Sequence, residues 1–334
     1  MDFCDYIMYN EGAKGWKMSQ NNNDFQNAAR RQDAETFSFI DAVSEAYETY
    51  PELVKKVFFI DPATDNIPHP DPAVVQELID FVTKTKPGRD VIQPIIAECK
   101  KNKSSYCHTN GPGGGFVFVY SGEDALRLTG GENHNGHSHK TELQFVFDHE
   151  LAHAIVPEAR SDNLFLAESV ADAFAALRHL QRNKGDTGFI EDMMLARAAG
   201  TAFRKNGILN FSSPVLEKIL EDAKTVNFEK FSHAETVSYV TATAQQYTPD
   251  GATLGKLYKS FAALKEQPQL KDLQNIVATT GDANALKWGK RILQALQTSR
   301  IPKPANLRHD KDQKQKQNQK SRGKYRPGLT CSGK

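Results

Sequence analysis

The chain has 334 residues, with 42 Lys/Arg against 41 Asp/Glu, 39% hydrophobic and 25% charged residues, an ordinary soluble composition with ample material for a core. No stretch approaches eighteen apolar residues, which excludes a helical membrane span, and the opening MDFCDYIMYNEGAKGWKM lacks the basic and apolar regions of a secretory signal. Cys4, Cys99, Cys107 and Cys331 are scattered without a C-x-x-C, so free thiols in a reducing cytosol are expected rather than a cysteine metal site.

Residues 1–33 are polar, with an Asn/Gln-rich run at 19–33, and read as a disordered lead-in. From Ala34 to about Tyr50, Phe37, Ile40, Val43, Ala46 and Tyr47 keep helical spacing. VFFI at 57–60 is a short strand or a buried turn, and the Pro-rich segment that follows is a loop in which His69 is an ordinary loop histidine. Asp71 and Pro72 open a helix that runs to about Thr83. Asp90 is expected to cap a third, broken by Pro94 and ending near Lys101.

Gly111 to Gly115, GPGGG, is not a phosphate loop: no Lys-Ser/Thr follows, and the next run, FVFVY at 116–120, is a strand and not a helix N-terminus. The Gly-rich segment 130–140 carries His134, His137 and His139 and reads as a solvated loop rather than a second metal site.

TELQFVFDHELAHAIVP, residues 141–157, then forms the organising helix. Thr141 with Gln144 reads as a capping box that starts it near Glu142, and Pro157 stops it. Within it, His149, Glu150 and His153 make an H-E-x-x-H pattern. At ~3.6 residues per turn the two imidazoles lie one above the other on one face and can share one cation. Glu150 lies beside that face, placed to take a proton from a water. Burying this polar triplet unpaired in so apolar a helix would cost several kcal/mol.

Residues 163–181 read as a second amphipathic helix capped by Ser161 or Asp162, folded back antiparallel through a short turn. Counting outward from that turn places Glu168 level with the two histidines and Asp172 level with His149. Glu168 supplies a third ligand and Asp172 an outer partner for His149. Glu158 is a rival third ligand, but it lies beyond the first helix end.

H-E-x-x-H followed by E-x-x-x-D on the next helix resembles the gluzincin metallopeptidases, the thermolysin-like clan, over roughly residues 116–181. The spacing of fourteen residues between His153 and Glu168 is shorter than in thermolysin. The metzincin pattern does not fit, because Val156 and Ala159 stand where it needs Gly and His. The resemblance implies a Zn2+ ion held by His149, His153 and Glu168, with Glu150 as general base, Asp172 as partner of His149, and a peptide or protein substrate. It also implies that Phe116 to Ser121 lies along the cleft as a substrate-binding edge, the alternative being a strand covered on both faces. A further His or Tyr would hold the oxyanion; His233 and Tyr239 are favoured for that role over His179 and Tyr247.

The remaining chain is a series of helices: 189–205 with Gly207 as C-cap, 213–224, 232–246 opened by a Ser232/Glu235 capping box, 252–265 and 282–299. From Ile301 the composition shifts to ten Lys/Arg against two Asp, a disordered basic tail over 301–334. It offers a contact to an anionic partner or serves only solubility. Tyr325 is its lone aromatic, which argues against a dedicated nucleic-acid module.

The expected fold is therefore α+β and predominantly helical: a zincin-like domain over 34–300, with an N-lobe bearing a small sheet (34–147) and a helical C-lobe (148–300). The expected activity is zinc-dependent peptide hydrolysis in the cytoplasm, with signal-independent export left open. Hydrolysis of a non-peptide amide, or a regulatory protein with a structural metal, would use the same ligands.

Overall fold

Two runs without a single polar residue, VFFI and FVFV, form strands β1 (Val57–Ile60) and β3 (Phe116–Val119), joined by β2 (Tyr106–His108). The computed structural model describes residues 37–102, 105–108, 111–120, 139–201, 209–262 and 270–298. It divides into two compact units, one running from Ser38 to Ser121 and one from Gly122 onward.

In the first unit the strand order is β1-β3-β2, with β1 parallel to β3 (Val57 opposite Phe116) and β2 antiparallel (Cys107 opposite Phe118). Uninterrupted apolar strands suit a sheet covered on both faces. On one face Phe58, Ile60, Val117 and Val119 pack with Leu78 and Val82 of α2 (Pro72–Lys84) and Ile95 and Ile96 of α3 (Gln93–Asn102). On the other, Phe59 meets Phe118 edge-on at 5.2 Å and Tyr47 of α1 (Phe39–Thr49) edge-on at 5.4 Å.

The topology corrects one expectation. β3 is the central strand, paired on both sides, so it offers no edge to an extended substrate. Its parallel partner comes from far upstream, a pairing that local sequence cannot reveal. A second correction concerns Pro94, which does not break a helix. The chain absorbs it with a π-helical turn over Gly88–Ile92, in which the Gln93 N–H donates to the Gly88 carbonyl, and Asp90 lies inside that turn instead of capping. The Asp71 cap of α2 is as expected, its carboxylate accepting from Ala73 N at 2.8 Å. His69 is buried, with Nδ1 accepting from Asp71 N at 3.0 Å and Nε2 donating to the Val54 carbonyl at 2.8 Å.

The second unit is helical among its described residues: α4 (His139–Ile155), α5 (Leu164–Arg182), α6 (Gly188–Gly200), α7 (Ser213–Asp222), α8 (His233–Tyr247), α9 (Gly251–Ala262), α10 (Leu270–Thr279) and α11 (Ala283–Thr298). α4 begins at His139, so Thr141 already lies inside the helix and cannot head the expected capping box. α5 is capped by Asn163, whose side chain accepts from Leu166 N, and not by Ser161 or Asp162. The Ser232/Glu235 capping box opens α8 as expected. α6 ends at Gly200, earlier than 205, and α10 was not anticipated. A core of Ala198, Phe211, Leu254, Leu273, Val277 and Ile292 joins α6 to α9, α10 and α11.

Among the described residues the chain is thus mostly helical, with one small sheet. No described helix is long and apolar enough to cross a membrane. Residues 1–36, Ser121, the loop histidines His134 and His137, Gly207 and the basic tail lie outside the described residues.

Candidate metal centre

The site is built on the α4–α5 hairpin. α4 is buried around its circumference, with Phe145, Val146, Phe147, Leu151 and Ala152 all nearly inaccessible. α5 is rich in buried alanines, Ala167, Ala171, Ala173, Ala175 and Ala176, small enough to let the two helices approach. Pro157 ends α4 and starts a 3-10 turn over Pro157–Arg160. Arg160 Nη1 then donates to the Ala154 carbonyl at 2.7 Å, satisfying one of the acceptors that a helix C-terminus leaves open. At the opposite end of the hairpin, the Arg182 guanidinium grips the buried Asp148 carboxylate with both Nη atoms, Nη2 to Oδ1 at 3.0 Å. Both side chains lean toward the N-terminus of their own helix, which in an antiparallel pair brings them together.

Between these two clamps His149, His153 and Glu168 converge. One potential ligand atom from each lies within 4.8 Å of the others. His149 Nε2 is 3.5 Å from Glu168 Oε2, and His153 Nε2 is 3.9 Å from Glu168 Oε1. These separations exceed an N–H···O hydrogen bond, ~2.7–3.2 Å. The His149 separation matches the edge of a tetrahedron with bonds of ~2.0–2.2 Å, which is ~3.3–3.6 Å, and the His153 separation, to the other carboxylate oxygen, is longer. Two imidazole nitrogens and a carboxylate oxygen are also the donor types that such an ion takes.

The outer nitrogens decide what the inner ones can do. His153 Nδ1 lies 2.6 Å from the Ala159 carbonyl, which only accepts, so Nδ1 carries the proton and the Nε2 lone pair faces Glu168. His149 Nδ1 likewise donates to Asp172 Oδ1 at 2.8 Å. Asp172 is fully buried and accepts two further bonds: Arg197 Nη2 to Oδ1 at 2.6 Å and the Ser212 hydroxyl to Oδ2. One carboxylate therefore ties α4, α5, α6 and the start of α7 to the same point.

Burial is the largest influence on each of these groups, but neighbouring charge overrides it in three of them. For His149 burial favours the neutral ring, yet the Asp172 and Glu168 carboxylates push its pKa up to about 10. His153 is lowered, by burial first and then by the His149 charge. Glu168 is held below the usual carboxylate range, burial being outweighed by His149, His153 and Arg197. Asp172 is also held below the usual carboxylate range, chiefly by the Arg197 and His149 charges acting against its burial.

A pH dependence follows. A cation must displace the His149 proton, so metal affinity is expected to rise ~tenfold per pH unit from neutrality toward about 10. The metal-free fold shows the opposite trend. Its raised His149 pKa contributes stability that is complete below the ordinary value of 6.5 and is lost as pH rises through about 10. Calorimetry in buffers of different ionisation enthalpy should count about one proton released per ion bound; none released at pH 7 would show that His149 is neutral there.

The other residues singled out from sequence are distributed as follows. Glu150 is half-buried beside His149 and close enough to Arg197 for its charge to help raise the Arg197 pKa. Glu158 is not a ligand: its carboxylate accepts from Thr241 Oγ1 at 3.1 Å. Of the two residues expected to hold an oxyanion, His233 opens α8, where Thr236 one turn later bonds Gln181 of α5. The Tyr239 hydroxyl donates to Asp222 Oδ2 at 2.7 Å, with its ring edge-on to Phe228 and Phe231. The His179 ring lies tilted against Phe189, with centroids 4.9 Å apart, and Lys218 Nζ lies 5.9 Å from the Tyr247 ring centre.

Arg197 and Ser212 were not anticipated. A lone arginine in the small-residue run ARAAG was a usable signal, since a buried guanidinium requires a carboxylate. Fold and site together define a mostly helical protein whose α4–α5 hairpin presents a two-histidine, one-carboxylate group suited to a metal ion. Comparisons with protein-family models, curated proteins and solved structures return no match.

Proposed function

We propose that the chain is a zinc-dependent metallopeptidase of gluzincin type, with His149, His153 and Glu168 as the ligands and Glu150 as the proton carrier. The observation that carries this reading is the convergence of both Nε2 atoms on Glu168 while both Nδ1 atoms are committed elsewhere. The peptide bond as substrate rests on the resemblance of H-E-x-x-H followed by E-x-x-x-D.

A zinc ion bound there supplies Lewis-acid polarisation of a carbonyl and acidifies a water. The protein does the rest. His149 and His153 are pre-oriented by Asp172 and the Ala159 carbonyl, so neither ring needs to reorganise on loading. Glu150, half-buried beside them, accepts the water proton and passes it to the leaving amine nitrogen.

The full chain, purified and loaded with zinc, is expected to hold one equivalent and to cleave members of a peptide library, with activity lost to a chelator and restored by zinc. Glu168→Ala should weaken zinc binding by more than the ~10–100-fold that loss of an outer partner costs. Stoichiometric zinc in Glu168→Ala would remove Glu168 from the ligand set. Zinc uptake without cleavage of any peptide would reject the peptidase assignment.

A further inference from the structure

We propose that Ser212 is a positioning residue of the metal centre: its hydroxyl locks the Asp172 carboxylate in the orientation that aims His149 at the ion. The inference rests on the metal-centre reading above and adds to it a residue remote from the H-E-x-x-H and E-x-x-x-D patterns.

The local geometry separates this role from the ordinary one for such a residue. Ser212 occupies the N-cap position of α7, where a serine side chain normally accepts from a backbone N–H of the first turn. Here it makes no such bond. The hydroxyl turns inward, is fully buried, and donates to Asp172 Oδ2. The helix start thus forgoes its side-chain cap, and a buried carboxylate gains a donor.

The consequence for His149 follows from how the Asp172 oxygens are divided. Oδ1 serves His149 Nδ1 at 2.8 Å and Arg197 Nη2 at 2.6 Å together, whereas Oδ2 is held by Ser212. A guanidinium binds a carboxylate best through both oxygens. Without the Ser212 hydroxyl, nothing in this set opposes rotation of Asp172 toward a two-oxygen grip by Arg197, and that rotation draws Oδ1 away from His149. The ring then loses the bond that fixes its tautomer and direction, and such outer partners are worth ~10–100-fold in metal affinity.

The test measures zinc affinity of the full chain by competition with a chromogenic chelator, alongside thermal unfolding of the metal-free protein. Ser212→Ala is expected to weaken zinc binding ~10–100-fold. Ser212→Cys, which is close in volume and keeps a weak donor, should recover part of that loss and serves also if the alanine variant folds poorly. In an Asp172→Asn background, Ser212→Ala should change the affinity by no more than about twofold, because the partner through which Ser212 acts is already altered. A purely structural serine would lower the melting temperature in both backgrounds and leave zinc affinity unmoved, which would overturn the proposal. Equal losses with and without Asp172→Asn would overturn it too. A wild-type chain that binds no zinc removes the metal-centre reading itself; a wild type that binds zinc with Ser212→Ala unchanged removes only the role of Ser212.

Discussion

Glu150→Gln is expected to leave zinc content and thermal stability at wild-type levels while lowering peptide turnover by ~10²–10⁴-fold, the range for removal of a general base. The substitution keeps the shape of the side chain and removes only its capacity to take a proton. Glu150 is half-buried, so the amide can still meet water. Its charge is one of several that raise the Arg197 pKa, and the smallest of them, so the Arg197–Asp172 pair stays intact without it. Metal analysis, a melting curve and turnover on one peptide separate the cases. Unchanged turnover removes Glu150 from the mechanism. Lost zinc would mean that it supports the ligands instead.

The hairpin was legible in the sequence because its information is local. Histidines four apart share a helix face whatever surrounds them, and Pro157 ends a helix wherever it stands. Counting residues outward from the turn placed Glu168 beside His149 and His153, and Asp172 against His149 Nδ1, as the structure has them. Helix starts with strong local chemistry were likewise readable, Asp71 and the Ser232/Glu235 box among them. What failed depended on distant partners. β3 is central only because β1, from the other end of its unit, lies beside it. Arg197 and Ser212 reach Asp172 from α6 and from the start of α7, with no spacing rule to announce them. Side chains that converge on one hairpin can be read by counting; the partners behind them need the tertiary fold.

Arg197→Met should be the most destabilising single change in this layer, costing ~3–5 kcal/mol in the metal-free protein, because it strands a buried carboxylate. Asp172 is fully inaccessible and Arg197 nearly so, so water cannot replace the lost partner. The loss has a pH dependence of definite sign. Below about 10 His149 carries a proton and still faces Asp172, leaving one cation beside the carboxylate; above that pH both cations are gone and the deficit should widen. Asp172→Asn combined with Arg197→Met removes the stranded charge and should recover most of the stability, a coupling expected of residues in direct contact. Urea unfolding of the three variants at two pH values measures all of this. A loss below ~1 kcal/mol in Arg197→Met would place the pair in the class of solvent-exposed contacts and contradict the burial of Asp172. Zinc enters the same balance from the other side. By displacing the His149 proton it substitutes a dication for an imidazolium facing the same carboxylates, so saturating zinc should reduce the deficit of Arg197→Met, and a deficit unchanged by zinc would show that the ion and Asp172 do not communicate through His149.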